Sequence, residues 1–537
     1  MDALARSTAF GAAAPAKLLE THISYVLLTG DYAYKIKKAV DFDFLDFRTL
    51  AARRFFCEEE LRLNRRLAPT LYLDVVPITG SIDKPFIGGS EQRALEYAVK
   101  MREFAQEALA GKLLERCELG ASDIDVLADK VARFHGAIGI ASPDAGFGAP
   151  EGILRVALQN FVQLAPLLAS EWERDELEDL CSWTGREHAA RHDAFLRRRT
   201  QGFVRECHGD LHLGNIARID DELVIFDGIE FSEEMRWIDV MSEVAFTVMD
   251  LQDRRRADLA HRFLNAYLDR TGDYGGLAVL PFYLTYRALV RAKIARLRAT
   301  QVGAGAAKNA AIAESRGYLH LARSYAERPR PALIVTYGLS GSGKTAISQA
   351  LLETIGAVRI RSDVERKRMH GVAPLERCNA SEAQRLYAEA STQHTYDRLR
   401  TLARDILGAG RIAIVDATFL RHSQRESFRA LAMELGLPFL ILAFEASEAT
   451  LRQRITQRQA GGGDASDADL AVLGHQIATR EPLTADERTH AVVYDAEAPL
   501  EAARAPAAWK ELARRLGGSR TLRNHSRSFR DGGPFPN

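Results

Sequence analysis

The segment CHGDLHLGNI, residues 207–216, brings side chains that can move protons and bind metal into one short loop. Asp210 is followed five residues later by Asn215, and Asp227 stands directly after the apolar run LVIF. Phosphoryl transfer needs a carboxylate that accepts the proton of the attacking hydroxyl, together with oxygen ligands for Mg²⁺. The spacing therefore predicts Asp210 as a catalytic base and Asn215 and Asp227 as magnesium ligands; a polar turn before an ordinary strand is the alternative.

A second segment, GLSGSGKT at residues 338–345, satisfies the spacing GxxxxGK[ST] between an apolar strand pattern and a helical one. In such a loop, backbone N–H groups surround phosphates at the positive end of a helix, the lysine contacts phosphate oxygens, and the hydroxyl binds magnesium. A chance glycine-rich turn is the alternative. The residues predicted to bind the nucleotide are Gly338, Ser340, Gly341, Ser342, Gly343, Lys344 and Thr345, of which Thr345 is also a predicted magnesium ligand.

Four polar residues downstream extend this second constellation. Asp363 ends the strand pattern RIRSD and is interpreted as a base for an attacking hydroxyl or as a helix N-cap. Asp416 ends IAIVD and is interpreted as a magnesium ligand or as part of an ordinary strand-end turn. Arg454 and Arg458 lie one helical turn apart before a glycine run, which is typical of a lid over phosphates or of a solvated basic face.

These residues, with DASDADLAVLGHQIATREPLTADE after the glycine run, resemble the small P-loop kinases related to gluconate kinase, zeta toxins and polynucleotide kinase ends. The resemblance covers roughly residues 332–516. It implies phosphorylation of a hydroxyl, with Asp363 carried over as the base and Arg454 and Arg458 as lid arginines. It does not specify the substrate.

The loop HGDLHLGNI resembles the aminoglycoside phosphotransferase and choline kinase branch of the kinase-like fold, over about residues 21–321. The resemblance assigns Asp210, Asn215 and Asp227 the roles given above, with His208 and His212 shaping the loop. It also implies that EYAVKMREF, around Tyr97 to Met101, contacts adenine between two lobes.

This branch needs a strand lysine on the phosphates, paired with a helix glutamate. Lys35 in YAYKIKK and Glu60 in FCEEELRLNRRL fit this pair best. Lys37 lies on the same face of the strand and Glu59 is adjacent to Glu60, so both remain alternatives in register. No GxGxxG stands at the first hairpin, where Gly30 is the one glycine, and this branch does not require that pattern.

The charge of the acceptor stays open at this level. Eight carboxylates between residues 227 and 253 would attract a cationic substrate or would form a solvated helix face. Arg287 and Arg291, one helical turn apart, would serve an anionic substrate or line a helix surface. The carboxylates are Asp227, Glu230, Glu233, Glu234, Asp239, Glu243, Asp250 and Asp253.

The elements that must position these residues divide the chain in two. A strand-rich lobe with one helix (about 21–110) precedes a helical lobe (about 111–326), and AERPRP breaks the last helix. Strand and helix patterns then alternate over 332–516, which predicts a P-loop fold with a doubly wound parallel sheet. We expect residues 1–20 to form a separate amino-terminal segment and 517–537 a disordered tail.

Composition excludes several classes of protein. Lys plus Arg and Asp plus Glu both number 72, so no overall charge attracts nucleic acid or an anionic membrane. The five cysteines show no zinc or redox spacing, and neither a signal peptide nor a long apolar run is present. We therefore expect a cytoplasmic protein that does not bind a membrane and whose overall charge gives no reason to expect a nucleic-acid partner, and the sequence leaves its oligomeric state open.

Taken together, the segments resemble a bacterial two-domain family that fuses an aminoglycoside-phosphotransferase-like domain to a P-loop kinase. The leading hypothesis is a bifunctional kinase that uses ATP and Mg²⁺ to phosphorylate small-molecule hydroxyls. One alternative is a P-loop kinase regulated by a non-catalytic kinase-like sensor domain. The other is a P-loop domain that phosphorylates nucleic-acid 5′ ends.

Overall fold

The computed structural model describes Leu4 and residues 17–42, 45–327, 330–373, 389–461 and 468–516. The predicted tail, most of the amino-terminal segment, the glycines after Gly461 and the start of the helix expected near Ser381 lie outside these residues. The chain forms two compact units. Unit 1 comprises residues 1–250 and 286–315, and unit 2 comprises residues 251–285 and 316–537.

Unit 1 contains a six-stranded antiparallel sheet, in the order β1-β2-β3-β8-β6-β7, and three two-stranded pairings. Its strands are β1 (Lys17–Glu20), β2 (Ser24–Leu28), β3 (Tyr32–Lys37), β4 (Asp41–Phe42), β5 (Leu45–Asp46), β6 (Tyr72–Gly80), β7 (Pro85–Ile87), β8 (Glu96–Arg102), β9 (Val204–Glu206), β10 (Ile216–Ile219), β11 (Glu222–Ile225) and β12 (Trp237–Asp239).

The expected first hairpin is present as β2 and β3, which pair antiparallel around residues 29–31. Alternation along β3 sends Tyr34 and Ile36 into an apolar cluster with Leu27 and Ala98. Lys35 and Lys37 necessarily share the opposite face, because side chains two residues apart point to the same side of a strand.

Helix α1 (Leu50–Asn64) begins at Thr49, whose side chain accepts a hydrogen bond from the Ala52 N–H at 3.1 Å. Cys57, Glu60 and Asn64 recur at helical spacing on its buried face. Two of these three side chains are polar, which indicates a paired polar interior rather than a purely apolar contact.

Helices dominate residues 110–326, as the sequence predicts. Most of them belong to unit 1, three span a boundary between the units, and one, at residues 257–271, lies wholly in unit 2. They are α2 (Ala110–Glu115), α3 (Ala121–Ala137), α4 (Pro150–Leu164), α5 (Glu171–Thr200), α6 (Glu233–Arg236), α7 (Val240–Asp253), α8 (Ala257–Thr271), α9 (Leu280–Gln301) and α10 (Ala306–Ala326).

Unit 2 contains a five-stranded sheet, in the order β14-β15-β13-β16-β17, in which every pairing is parallel. Its strands are β13 (Leu333–Tyr337), β14 (Val358–Arg361), β15 (Ala413–Asp416), β16 (Phe439–Glu445) and β17 (Ala491–Asp495). The predicted doubly wound parallel sheet is confirmed. Its core lies between Ile334, Leu442 and the helix that follows β13, with Trp509 fully buried beside them.

The helices of this sheet follow the alternation predicted from the sequence. They are α11 (Lys344–Ile355), α12 (Ser362–Met369), α13 (Glu389–Gly408), α14 (His422–Glu434), α15 (Glu448–Gly461), α16 (Leu470–Thr479), α17 (Ala485–Thr489), α18 (Leu500–Arg504) and α19 (Lys510–Arg515).

Helix α8 belongs to unit 2 by its contacts, although the sequence assigns it to the amino-terminal domain. The Asn265 side chain donates to the Ala357 carbonyl at 3.0 Å and accepts from the Arg359 N–H at 2.8 Å. These two bonds satisfy backbone groups along the outer edge of β14, where no further strand pairs among the residues that the structure describes. The edge of the parallel sheet is therefore covered by a helix that precedes it by about 90 residues.

Candidate active sites

The loop at residues 208–215 brings Asp210 and Asn215 into direct contact. Asn215 Nδ2 donates to Asp210 Oδ2 and to the Asp210 carbonyl, both at 3.0 Å. His212 Nε2 lies 3.4 Å from Asp210 Oδ2, and His212 Nδ1 accepts from the Gly214 N–H at 3.0 Å. His208 Nε2 bonds to the Phe226 carbonyl at 2.8 Å, which ties the loop to the residue before Asp227.

Asp210 is held in its ionised form. Burial by itself raises the pKa of this carboxyl, but His212, His208 and Arg287 outweigh it and hold the pKa well below its ordinary value. A carboxylate that stays ionised at neutral pH can accept a proton from a hydroxyl.

The loop backbone is fixed by Glu243 and Asp250 of α7, two of the eight carboxylates that the sequence offers as a substrate patch or a solvated helix face. Glu243 accepts from the N–H groups of His208 at 3.2 Å and Gly209 at 2.6 Å, and Asp250 accepts from the Leu213 N–H at 2.8 Å. Glu243 also lies 3.0 Å from His135 Nε2. A signal for them exists in VMSEVAFTVMD, because carboxylates within an otherwise apolar helix are buried only when paired.

Asp227 lies at the mouth of this site with φ +63°, a left-handed conformation that is uncommon for a residue with a side chain. The Tyr72 hydroxyl bonds to the Asp227 N–H at 3.1 Å, and Asn64 Oδ1 accepts from the next N–H, that of Gly228, at 2.8 Å. The Asp227 side chain is 44% exposed and its Oδ1 lies 2.5 Å from Lys35 Nζ. A strained backbone held by two long-range bonds is typical of a functional position.

Both strand lysines contact the same glutamate. Lys35 Nζ lies 2.8 Å from Glu60 Oε1, and Lys37 Nζ lies 2.7 Å from Glu60 Oε2. Lys37 also pairs with Glu230, another buried carboxylate. Burial opposes the charge on Lys35, but Asp227 and Glu60 raise its pKa well above the ordinary value. Glu59 pairs with Arg62 instead, so Glu60 rather than Glu59 is the helix glutamate that contacts the strand lysines.

The segment expected to contact adenine begins within a strand. Tyr97 to Met101 lie inside β8, paired with β3 and β6, and Tyr97 and Val99 are buried, so these residues do not themselves connect two lobes. The last residues of EYAVKMREF follow the end of the strand at Arg102. A contact of this segment with adenine stays a prediction.

Most of the charged residues that could select the acceptor are buried or paired with other residues of the protein. Four of the eight carboxylates are buried: Glu230, Asp239, Glu243 and Asp250. Arg287 is buried and donates to the Gly209 carbonyl at 3.1 Å, and Arg291 lies 3.9 Å from Glu314. Neither the buried acids nor Arg287 is therefore available to bind an acceptor by its charge.

In unit 2 the glycine-rich loop forms a cradle at the start of α11. Gly341 and Gly343 have φ +83° and +77°, and a Cβ on Gly341 would lie 2.8 Å from the Leu451 carbonyl. Lys344 Nζ donates to the Leu339 carbonyl at 2.8 Å, and the Gln476 side chain accepts from the Ser340 N–H at 2.9 Å. Ser342 is buried, and its Oγ lies 2.8 Å from where a Cβ on Gly338 would stand, so the loop leaves no room for a side chain at Gly338.

Thr345 and Asp416 form an oxygen donor pair beside this cradle. Thr345 Oγ1 donates to Asp416 Oδ2 at 2.8 Å, because β13 and β15 are neighbours and their carboxyl ends meet at one edge. Burial lowers the pKa of Lys344 to about 8, with Asp416 and Asp363 opposing the shift and Arg458 adding to it. The hydroxyl and carboxylate are ligands that fit Mg²⁺, as are the Asn215 and Asp227 oxygens of unit 1.

The remaining predicted residues of unit 2 surround Lys344. Asp363 is the second residue of α12, whose N-cap is Arg361, so the interpretation of Asp363 as N-cap is wrong. Arg454 donates to the Ala496 carbonyl at 2.8 Å and Arg458 to the Ala468 carbonyl at 2.6 Å. Both arginines are half-buried, which does not fit the alternative of a solvated basic face.

Two family models match this chain. Residues 52–280 match the phosphotransferase enzyme family, and residues 333–483 match the AAA domain family. The chain joins a phosphotransferase domain to a P-loop domain. The two-domain resemblance drawn from the sequence is confirmed, and the kinase-like and P-loop domains identify the protein as a phosphotransferase that binds nucleotide.

The relatives of this two-domain phosphotransferase share most of its length. Uncharacterized proteins of Mycobacterium bovis and Mycobacterium tuberculosis are 29% identical over 474 residues, which covers 86% of this chain and 92% of theirs. A choline/ethanolamine kinase family protein from Mesorhizobium loti is 11% identical, with a TM-score of 0.35, and covers 58% of this chain and 94% of its own. A gluconokinase from Sinorhizobium meliloti is 21% identical, with a TM-score of 0.24, and covers 35% and 97%.

Within the described part of the phosphotransferase, no helix combines the length and apolar character that crossing a bilayer requires.

Proposed function

We propose that both units transfer the γ-phosphate of ATP to hydroxyl groups of small molecules, with Mg²⁺ as the metal. The proposal is carried by one observation: each unit has a lysine beside carboxylates and an amide or hydroxyl side chain bonded to a carboxylate. In unit 1, Lys35 contacts Asp227, and Asn215 bonds to Asp210. In unit 2, Asp416 and Asp363 act on the charge of Lys344, and Thr345 bonds to Asp416.

In unit 1, Asp210 accepts the proton of the attacking hydroxyl. The oxygen of that hydroxyl bonds to the γ-phosphorus, while the bond between the γ-phosphorus and the β–γ bridging oxygen breaks. Lys35 holds the phosphates, and Glu60 orients Lys35. Asn215 and Asp227 hold magnesium. When bound, the metal neutralises negative charge on the phosphate oxygens.

In unit 2, the N–H groups of the glycine-rich loop and Lys344 hold the phosphates, and Thr345 and Asp416 hold magnesium. Asp363 is the proton acceptor. Arg454 and Arg458 neutralise charge that develops on the transferred group. A virtual Cβ on Gly343 lies 3.5 Å from Arg454 Nη1, which supports this role because the guanidinium already lies beside the loop.

The test is calorimetric titration of the full chain with the magnesium complex of a non-hydrolysable ATP analogue. We expect two sites in the wild type, one lost in Lys344→Ala and the other in Asp227→Ala. Lys510→Ala and Asp193→Ala are matched controls, because both side chains are exposed. A single site, lost only in Lys344→Ala, would make unit 1 a non-catalytic sensor and refute bifunctionality.

Binding alone does not establish transfer, so a panel of alcohols, sugars and amino alcohols is then assayed for phosphate incorporation. Incorporation by the Lys344→Ala variant reports unit 1, and incorporation by Asp227→Ala reports unit 2. Labelling of a 5′-hydroxyl oligonucleotide by Asp227→Ala, without labelling of any small molecule, would favour a nucleic-acid end kinase in unit 2.

A further inference from the structure

A buried ion network in unit 1 contains one more lysine than the proposed reaction uses. Lys35 and Lys37 contact the two oxygens of Glu60 at 2.8 and 2.7 Å. The Lys37 and Glu60 side chains are fully buried, and Glu230, which also contacts Lys37, is 3% exposed. The Lys37 ammonium additionally lies 5.2 Å from the centre of the Phe47 ring. Lys37 therefore has no access to a ligand in solution.

Lys35 has a different environment. Its side chain is 12% exposed, and besides Glu60 it contacts Asp227 Oδ1 at 2.5 Å, where Asp227 is 44% exposed. A nucleotide that uses Lys35 for its phosphates and Asp227 for its metal has to open this contact. The Lys35 ammonium then interacts with phosphate oxygens as well as with Glu60, so the attraction between Lys35 and Glu60 becomes weaker.

Glu60 cannot turn to solvent when this happens. A buried carboxylate that loses its counter-ion is strongly disfavoured, because the interior does not replace the lost hydration. Lys37 prevents this loss, since it contacts the second oxygen of Glu60 and stays in place whatever Lys35 binds. The charge of Lys37 is in turn balanced by Glu230.

We propose that Lys37 is a positioning residue that keeps Glu60 charged and in place while Lys35 turns from Asp227 to the phosphates. The inference rests on the proposed nucleotide site of unit 1 and assigns Lys37 no contact with the nucleotide. Its consequence is specific to phosphate: without Lys37, Glu60 has to retain Lys35, so phosphates are bound more weakly and adenosine is bound as before.

The experiment uses the full chain carrying Lys344→Ala, so that unit 2 does not contribute. Affinities for the magnesium complex of a non-hydrolysable ATP analogue and for adenosine are measured by calorimetry. The test variant is Lys37→Met with Glu230→Gln, which removes one positive and one negative charge together. Replacing a buried ion pair by neutral groups of similar size often leaves stability unchanged, so this variant is expected to fold.

We expect the double substitution to lower the affinity for the analogue at least about tenfold, which is the effect of one charge-assisted hydrogen bond. The affinity for adenosine should stay within about twofold of the parent's. A Lys37→Arg variant should keep most of the parent's affinity for the analogue, because a guanidinium can also bond to two carboxylates. A double variant that binds the analogue as tightly as its parent would overturn the inference, since Lys37 would then be structural alone.

A double-mutant cycle separates indirect from direct action. In a Lys35→Met background, removing Lys37 and Glu230 should cause little further loss, because Lys37 acts through Lys35. If the losses of analogue affinity caused by the Lys35 and Lys37 substitutions were additive, Lys37 would bind phosphate itself, which would contradict the inference. Glu230→Gln alone provides a variant that keeps the Lys37–Glu60 contact, and a phosphate-specific loss in it as large as that of the double variant would also overturn the proposal.

The parent protein distinguishes failure of the inference from failure of the proposed function. If the Lys344→Ala parent shows no analogue site that Asp227→Ala removes, the nucleotide site of unit 1 is itself refuted, and the inference falls with it. If that site is present and the Lys37 variants bind like the parent, the site stands and only the inference is lost.

Discussion

The two candidate phosphate sites hold their lysines in opposite ways. Lys35 of unit 1 is surrounded by carboxylates, and Asp227 and Glu60 raise its pKa well above the ordinary value. Lys344 of unit 2 bonds to a backbone carbonyl, and burial lowers its pKa to about 8. The first site is an ion network of side chains from distant strands and helices. The second is a backbone cradle made by eight consecutive residues, 338–345.

The difference shows which substitutions each site can tolerate. A side-chain network fails when one charge is removed, because the remaining buried charges lose their partners. A backbone cradle depends on conformation, so it fails when a glycine can no longer adopt its φ or when a side chain enters the space of the ligand. The predictions below test this contrast.

The largest effect is expected from Asp210→Asn. The substitution removes the proton acceptor of unit 1 but keeps a group of the same size, and general-base catalysis typically contributes about 10²–10⁴-fold. Phosphate transfer by the Lys344→Ala protein should fall by that factor, with nucleotide affinity changed little. Asp193→Asn, on an exposed side chain, is the control. Transfer that survives Asp210→Asn would show that another group accepts the proton.

Arg454→Ala and Arg458→Ala should each slow transfer by unit 2 about 10²-fold, because removal of one preorganised donor to a developing charge costs about 10²–10³ in turnover. The assay is the rate with an accepted alcohol at saturating nucleotide. Arg452→Ala is a control on the same helix, since Arg452 is half exposed and pairs with Glu448. Equal losses in all three variants would favour a general effect of the helix charge over a role as lid.

Gly341→Ala should disrupt the cradle of unit 2. Its φ of +83° is strained for alanine, and the new Cβ would approach the Leu451 carbonyl to 2.8 Å. Strain of this kind costs about 1–3 kcal/mol, so we expect nucleotide affinity at this site to fall about tenfold or more. The measurement is calorimetry in the Asp227→Ala background.

Gly30→Ala in the first hairpin of unit 1 is the matched comparison. Gly30 has φ +96°, but nothing lies within 4 Å of a Cβ there. It should lower stability modestly and leave the nucleotide affinity of unit 1 within a few-fold. If Gly30→Ala were as harmful to binding as Gly341→Ala, the contrast between a backbone cradle and a side-chain network would be wrong.

An effect on stability is expected from Glu243→Gln. Glu243 accepts two backbone N–H bonds from the 208–215 loop, so loss of its charge should lower the free energy of unfolding by about 1–3 kcal/mol at neutral pH. Denaturant unfolding followed by a probe in unit 1 measures this, with the exposed Glu233→Gln as control.

The difference in the free energy of unfolding between wild type and Glu243→Gln should depend on pH with a defined sign. Burial raises the pKa of Glu243, but His135, His208 and the Gly209 N–H outweigh it and lower the pKa to about 2. A carboxyl with a depressed pKa stabilises the fold above its unfolded pKa, near 4.5, and loses that contribution as the pH falls towards 2. The free energies of unfolding of wild type and Glu243→Gln should therefore become more similar below about pH 4.5. A gap that widens on acidification would contradict the assignment.

Local patterns made much of both sites predictable. The glycine-rich loop is one contiguous segment, and Asp363 and Asp416 follow from the rule that parallel strands present their carboxyl ends at one edge. In unit 1, the spacing of Asp210 and Asn215 predicts a pair that the fold brings to 3.0 Å.

Other features could not be read from local patterns. Glu243 and Asp250 were interpreted as members of an acidic surface or substrate patch, whereas they bond to the backbone of the 208–215 loop. In each case the partner is distant in sequence, and the chemistry of the residue alone does not say whether it faces solvent or another part of the chain.

Local sequence patterns are enough to predict the two domains, the parallel sheet of unit 2, the phosphate loop and the spacing of the 208–215 loop. These depend on alternation, on the conformational freedom of glycine and on contacts between near neighbours. Three further contacts are visible in the folded chain alone: Glu60 contacts two lysines, α7 anchors the loop of Asp210, and α8 covers the edge of β14. Such contacts require a buried charge or polar group to find its partner among residues far along the chain, and the folded core makes that choice.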